Sequence, residues 1–248
     1  MRAVLRLLPA ALGLLVIWQA VVSLTGVTPF ILPGPLKVAE ALWASRALIA
    51  ENAVITAVQV LLGMALGATL GGLTALGLAM SPRLARMVLP GLLLSQAVPY
   101  FALAPILALW LGFGMASKIA MAVLIIFFPV TSAFYDGLRR TDPGLLDLAQ
   151  VMGAGNGAVL WRLRLPAALP AFASGLRLAA VYAPIGAVIG EWVGGASGGL
   201  GYLMLLANGR VKIDLMFASL VVLALFTVLL YAAVNRLANR LERWAAGG

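Results

Sequence analysis

Apolar residues in this chain come in blocks of about 20, parted by short polar or Gly/Pro-rich breaks. That is neither the 3–4 spacing of a surface helix nor the alternation of a half-buried strand. Six blocks stand out, at roughly 8–26, 54–79, 87–111, 117–135, 172–193 and 214–235. A helix climbs about 1.5 Å per residue, so about 20 residues cross a hydrocarbon layer about 30 Å thick. A transmembrane β-barrel would show shorter, alternating strands. The pattern predicts an all-α integral membrane protein, one domain over 1–248, with about six transmembrane helices.

The breaks carry their own signals. "MRAVLRLLPAALGLLVIWQAVV" has the basic start and apolar core of a signal peptide, but no small-x-small cleavage site follows, so a retained signal-anchor helix is the expectation. Pro29, Pro33 and Pro35 forbid a continuous helix after it. Leu36 to Leu48 then reads as a short amphipathic helix on the outer surface, either a connector or a packing element. Gly63, Gly67 and Gly71 stand four apart, with Gly72 following, and would let two helix backbones approach closely, within one subunit or between two. Pro99, Pro105, Pro129 and Pro184 interrupt three blocks. Freed backbone groups cannot face lipid, so these breaks point to protein or a water-filled path.

Composition sharpens the class. The chain is 63% hydrophobic and 10% charged, with a mean hydropathy of +1.08, against about 25% charged residues in soluble domains. Cysteine and histidine are absent, which removes disulfides, the usual zinc ligands and the commonest neutral-pH base. No metal site or cofactor is expected. The formal charge of +9 sits between apolar blocks and not in a patch suited to nucleic acid. With the N-terminus inside, twelve of the 17 lysines and arginines fall on the inner side. The positive-inside rule therefore predicts a multi-pass protein with both termini cytoplasmic. Lys118 falls outside in this scheme, and Arg177 is expected to snorkel to the inner surface. The C-terminal "NRLANRLERW" reads as a basic amphipathic anchor on that surface.

The most informative polar stretch is the loop 136–171. Asp142 can cap a helix whose first turn takes Pro143. "GLLDLAQVM" places Leu145, Leu148 and Met152 on one face, and Gly153, Gly155 and Gly157 end it. "AVLWRLRL" reads as a second short helix, closed by Pro166 and Pro170. Two short helices about a glycine elbow make a knob with an apolar tip, either a structured loop or a docking element. No nucleotide-binding loop is present, since "GFGMASK" at 112–118 has Ser before Lys where Gly is needed.

Asp147-Leu148-Ala149, three residues, Gly153, nine residues, then Leu163-Arg164-Leu165-Pro166 resembles the E-A-A…G…I-x-L-P loop of permease subunits of bacterial binding-protein-dependent ABC importers. The spacing matches throughout, with Asp for Glu, Leu for the first Ala and Leu for Ile. "LPGPLKVAEAL", "LPAALPAFASGLRLA" and "GAVIGEWVGGASGGLGYL" resemble the nitrate/sulfonate/taurine branch. "IIFFPVTSAFYDGLRRTDPGLLDLA" is similar to permeases assigned to thiamine pyrimidine precursors of the hydroxymethylpyrimidine type. The resemblance implies a type I ABC importer-like permease fold in a bacterial inner membrane. Asp147, Leu148, Ala149, Met152, Gly153, Ala154, Leu163, Leu165 and Pro166 would couple to a separate ABC ATPase. It further implies two ATPase copies, a second permease copy that is identical in a homodimer, and an extracytoplasmic solute-binding protein. The chain itself would not be an enzyme.

Candidates for the solute path follow from the residues. Glu191 is the only acid in the interior of a block, so it lines or gates a path or is hydrogen-bonded within the bundle near the outer interface. Ser95, Gln96, Tyr100 and Phe101 surround Pro99; Tyr135, Tyr182 and Trp192 lie in later blocks. An amide with aromatic faces suits a flat neutral heterocycle, though Tyr and Trp also form interface belts. Sulfonate, taurine, nitrate and riboflavin stay open as solutes. The different-class alternatives are a stand-alone secondary carrier or channel, against which no inverted repeat is visible, and a lipid-acting membrane enzyme, against which the polar groups are scattered.

Overall fold

The computed structural model describes residues 2–194 and 198–245, with side chains at Pro9 and from Leu12 onward. All regular structure among the described residues is helical, as a lipid-immersed backbone that must satisfy its own hydrogen bonds requires. The order is α1 (Arg2–Thr25), α2 (Pro35–Ala44), α3 (Arg46–Met80), α4 (Pro82–Ser95), α5 (Tyr100–Leu111), α6 (Met115–Arg139), α7 (Pro143–Val151), α8 (Asn156–Val159), a π turn (Leu160–Arg164), α9 (Leu165–Val193), α10 (Leu200–Gly209) and α11 (Ile213–Ala245).

Among the described residues four helical runs are long and apolar enough to cross a bilayer: α3, α6, the continuous run Asn156–Val193, and α11. The expected span 87–111 is a bent pair instead, with α4 and α5 meeting at 101°. Pro99 causes the bend: it has no N–H to continue the ladder and steers Val98 away from helical geometry. The amides of Gln96, Ala97 and Val98 fall back on tight turns to Leu93, Leu94 and Ser95. Pro105, Pro129 and Pro184 stay inside continuous helices. The amphipathic segment is shorter than expected, because α2 ends at Ala44 and Arg46 already begins α3. The short helix α10 has no counterpart in the sequence reading.

Pro166 and Pro170 do not close a second loop helix. The chain passes through the π turn straight into α9. A π turn widens the helix by one residue, which removes the carbonyl that a proline ring would strike and the N–H it cannot supply.

The core is a sandwich of α3, α6 and α9 closed by small residues. A Cβ on Gly67 would sit 3.1 Å from Ile126, and one on Gly186 only 2.8 Å from the Ala122 Cα. Ala122, Val130, Ala179, Ala183 and Ala187 fill the seams and are fully buried. The glycine ladder of α3 thus packs against α6 inside one subunit. Tight backbone approach is what holds helices together where no hydrophobic effect operates between them.

Candidate functional site

The loop knob is built as its residues dictate. Asp142 accepts the Gly144 amide at 2.8 Å and caps α7, with Pro143 in the first turn. At the other end Gly153 takes φ +74°, Ala154 N–H reaches Ala149 O at 2.9 Å, and Gly153 N–H reaches Gln150 O at 3.0 Å. This paired closure needs a left-handed residue, which glycine alone adopts without strain. Ala149 is buried, whereas Leu148, Val151 and Met152 are 55%, 86% and 76% exposed. Asp147 and Gly153 are exposed as well, Ala154 and Leu163 are half-buried, and Leu165 and Pro166 root the segment in the bundle. The knob therefore presents a capped apolar tip away from its own core.

A second feature is a cavity of ≈ 640 Å³ between α5, α6 and α9. Gln96, Tyr100 and Tyr182 line it, together with Phe128, Pro129 and Ser132. The Tyr100 hydroxyl donates to Gln96 Oε1 at 2.7 Å, so the amide is pre-oriented by its neighbour. The Pro99 break brings these groups to one wall: it turns α5 away from α4 and exposes the last turn. Ser95 lies beside the cavity and accepts a hydrogen bond from Gln96 Nε2 at 3.3 Å. Phe128 and Ser132 were missed in the sequence, where only Pro129 between them was singled out as a break pointing to protein or a water-filled path, although "FFPVTS" joins aromatic, proline and hydroxyl in one turn.

The other path candidates go elsewhere. Phe101 and Trp192 are 67% and 51% exposed and lie outside the lining of this cavity. Tyr135 is buried in a separate cavity, at the end of the bundle that carries the loop. Glu191 is fully buried and sits in a polar knot, not on the cavity. Its carboxylate accepts from Thr56 Oγ1 at 2.7 Å and from Gly201 N–H at 2.6 Å. Thr56 accepts the Leu200 amide, Asn52 accepts the Gly199 amide, and Lys118 Nζ donates to Gly198 O at 2.9 Å. The knot ties α3, α6 and α9 to the start of α10. Lys118 is therefore fully buried, not an outer-loop charge. The sequence signal for it was Asn52 and Thr56 on one face of α3, four residues apart.

Arg177 does not snorkel either. It donates to Asn235 and Asn239 at 2.8 Å and pairs with Glu242 at 2.6 Å. The C-terminal "NRLANRLERW" is thus part of α11, held against α9 by this clamp, and not a separate surface anchor.

Known proteins resemble this chain over most of its length. Residues 63–247 match the family model described as binding-protein-dependent transport system inner membrane component. A probable ABC transporter permease protein of Haemophilus influenzae is 49% identical over 92% of each chain. The formylaminopyrimidine transport permease protein ThiX of Halalkalibacterium halodurans is 38% identical, covering 94% of this chain and 93% of that one. The riboflavin transport system permease protein RibX of Chloroflexus aurantiacus is 36% identical, covering 94% and 87%. An inward-facing MetNI methionine ABC transporter chain has the same fold, with a TM-score of 0.63 at 19% identity over 81% of this chain and 97% of that one.

Proposed function

Because this chain belongs to the family of binding-protein-dependent transport system inner membrane components, we propose that it is the permease subunit of an ATP-driven importer for a thiamine pyrimidine precursor. The observation that carries the transport reading is the knob: a capped short helix with an exposed apolar tip of Leu148, Val151 and Met152, joined by the glycine elbow to the continuous spanning run Asn156–Val193. An apolar tip in water is costly unless a partner covers it, and this chain has no nucleotide loop. A separate ATPase, in two copies, receives Asp147 to Pro166 of two permease subunits and supplies the energy. The knob side and both termini face the cytoplasm of a bacterial inner membrane. A solute-binding protein delivers cargo from the other side.

The cavity of Gln96, Tyr100, Tyr182, Phe128 and Ser132 supports a flat, neutral, hydrogen-bonding cargo, with an amide and hydroxyls at the edge and aromatic faces above and below. No charged residue among the described residues lines it, which argues against sulfonate, taurine or nitrate. The ThiX relative favours a pyrimidine; the RibX relative favours a larger heterocycle that the same chemistry could admit.

Two measurements test this. In proteoliposomes, solute uptake is expected only with the ATPase, the binding protein and ATP together; uptake down a gradient by this chain alone would make it a carrier or channel. Calorimetry on the cognate binding protein should show a hydroxymethylpyrimidine or formylaminopyrimidine bound far more tightly than riboflavin or taurine. A reversed order would replace the cargo and leave the permease role standing.

A further inference from the structure

A second cavity of ≈ 630 Å³ lies where α3, α4 and α6 meet the π turn, at the loop end of the bundle. Its polar wall is Arg86, Arg139, Arg164 and Tyr135; its apolar wall includes Leu78 and Leu89. Three guanidiniums therefore share one space, and no carboxylate among the described residues lines it. The one ion pair among the described residues is that of Arg177 with Glu242, so none of the three is paired. Asp136, the acid nearest in sequence, is exposed and outside the lining.

None of the three arginines is held in place by an acid. Arg139 stacks over the Tyr135 ring at 5.6 Å. Arg86 Nε donates weakly to Pro82 O at 3.4 Å. Arg164 Nε is buried with no hydrogen-bond partner at all, and the same side chain borders a neighbouring cavity of ≈ 290 Å³ under Asn156 and Leu160. An orphaned buried donor beside two further like charges is unfavourable unless an anion fills the space. Guanidinium forks match phosphate oxygens in pairs.

We propose that this cavity is an anion site, holding the phosphate of an amphiphilic or soluble phosphate ester against Arg86, Arg139 and Arg164. The apolar wall continues onto the outer face of α4, where Met87, Leu93 and Leu94 are exposed, so an acyl chain has a track to follow. Basic pockets between spanning helices are a known setting for anionic headgroups. Arg164 belongs to the π turn through which the knob joins α9, so occupancy stiffens that joint. This site is independent of the cargo assignment.

The test is calorimetric titration of the full chain in dodecylmaltoside with three probes: dihexanoyl-phosphatidylglycerol, dihexanoyl-phosphatidylcholine and glycerol 3-phosphate. Phosphatidylglycerol is expected to bind at one saturable site per chain, weakened about tenfold by Arg86→Gln and by Arg139→Gln and weakened by salt. Both residues are exposed, so the variants should unfold at the parent temperature. Glycerol 3-phosphate binding as tightly assigns the site to soluble phosphate esters; binding of the lipid alone assigns it to the bilayer. Equal binding of phosphatidylcholine, unchanged binding in both variants, or no saturable binding would overturn the proposal.

Discussion

Replacing Glu191 tests the polar knot directly. The carboxylate is fully buried and accepts from Thr56 Oγ1 and Gly201 N–H. In Glu191→Ala both donors lose their acceptor, and each buried unsatisfied group costs about 1–3 kcal/mol. Lys118, also fully buried, loses the anion whose field it feels and keeps only Gly198 O. Two such donors together put the loss at about 2–6 kcal/mol. For a chain of this size about 1 kcal/mol moves the unfolding midpoint by about 2–4 °C, so Glu191→Ala should unfold about 10 °C lower. Glu191→Gln keeps the volume and one acceptor, and should lose about half as much. Lys118→Met alone should also destabilise, while the double variant Lys118→Met/Glu191→Gln should lose less than the two singles added, by about 0.5–3 kcal/mol. The assay is fluorescence-detected unfolding in detergent, with uptake measured alongside. Glu191 lies off the cavity, so uptake per folded Glu191→Gln transporter should stay near the parent value. An unchanged midpoint in Glu191→Ala, strict additivity of the pair, or lost uptake at full stability would each refute this account.

Three further outcomes follow from the packing. Gly186→Val should push α6 from α9, because its Cβ would stand 2.8 Å from the Ala122 Cα; a loss of about 1–3 kcal/mol is expected in the same unfolding assay. Gly153→Val should strain a φ of +74° although the space around it is open. It should cost about 1–2 kcal/mol locally and lower co-purification with the ATPase, while Gly153→Asn should restore most of it. Arg177→Lys should weaken the clamp by about 1 kcal/mol, since one ammonium cannot fork across Asn235, Asn239 and Glu242; faster proteolysis of the α11 end is the readout.

The membrane class and the knob were legible because each rests on local chemistry. Block length alone identifies a spanning helix, and Asp142, Pro143 and Gly153 each do at α7 what their backbone preferences dictate. The bend at Pro99 and the continuity at Pro166 were not separable in advance. Proline breaks a helix or is absorbed by a π turn according to the packing around it, and the wide turn at Leu160–Arg164 leaves no compositional mark. The polar knot was half visible: Glu191 stood out as a lone acid, but its partners come from residues 73 to 139 positions earlier and later contacts on α10, which only the assembled fold brings within reach. Of the path candidates, Gln96 and Tyr100 flank the bend and meet Tyr182 of α9 across the cavity, whereas Phe101 and Trp192 differ from their neighbours only by helical phase.

The unbroken passage from α8 through the π turn into α9 makes residues 156–193 a single boom about 57 Å long at 1.5 Å per residue. A tilt of about 5° at its pivot near Arg162 swings the far tip by about 4 Å. That tip is Glu191, moored to Thr56 and Gly201. The boom cannot swing free of its moorings, so leverage applied at the near end drags α3 and α10 along and shears the whole raft of helices at once.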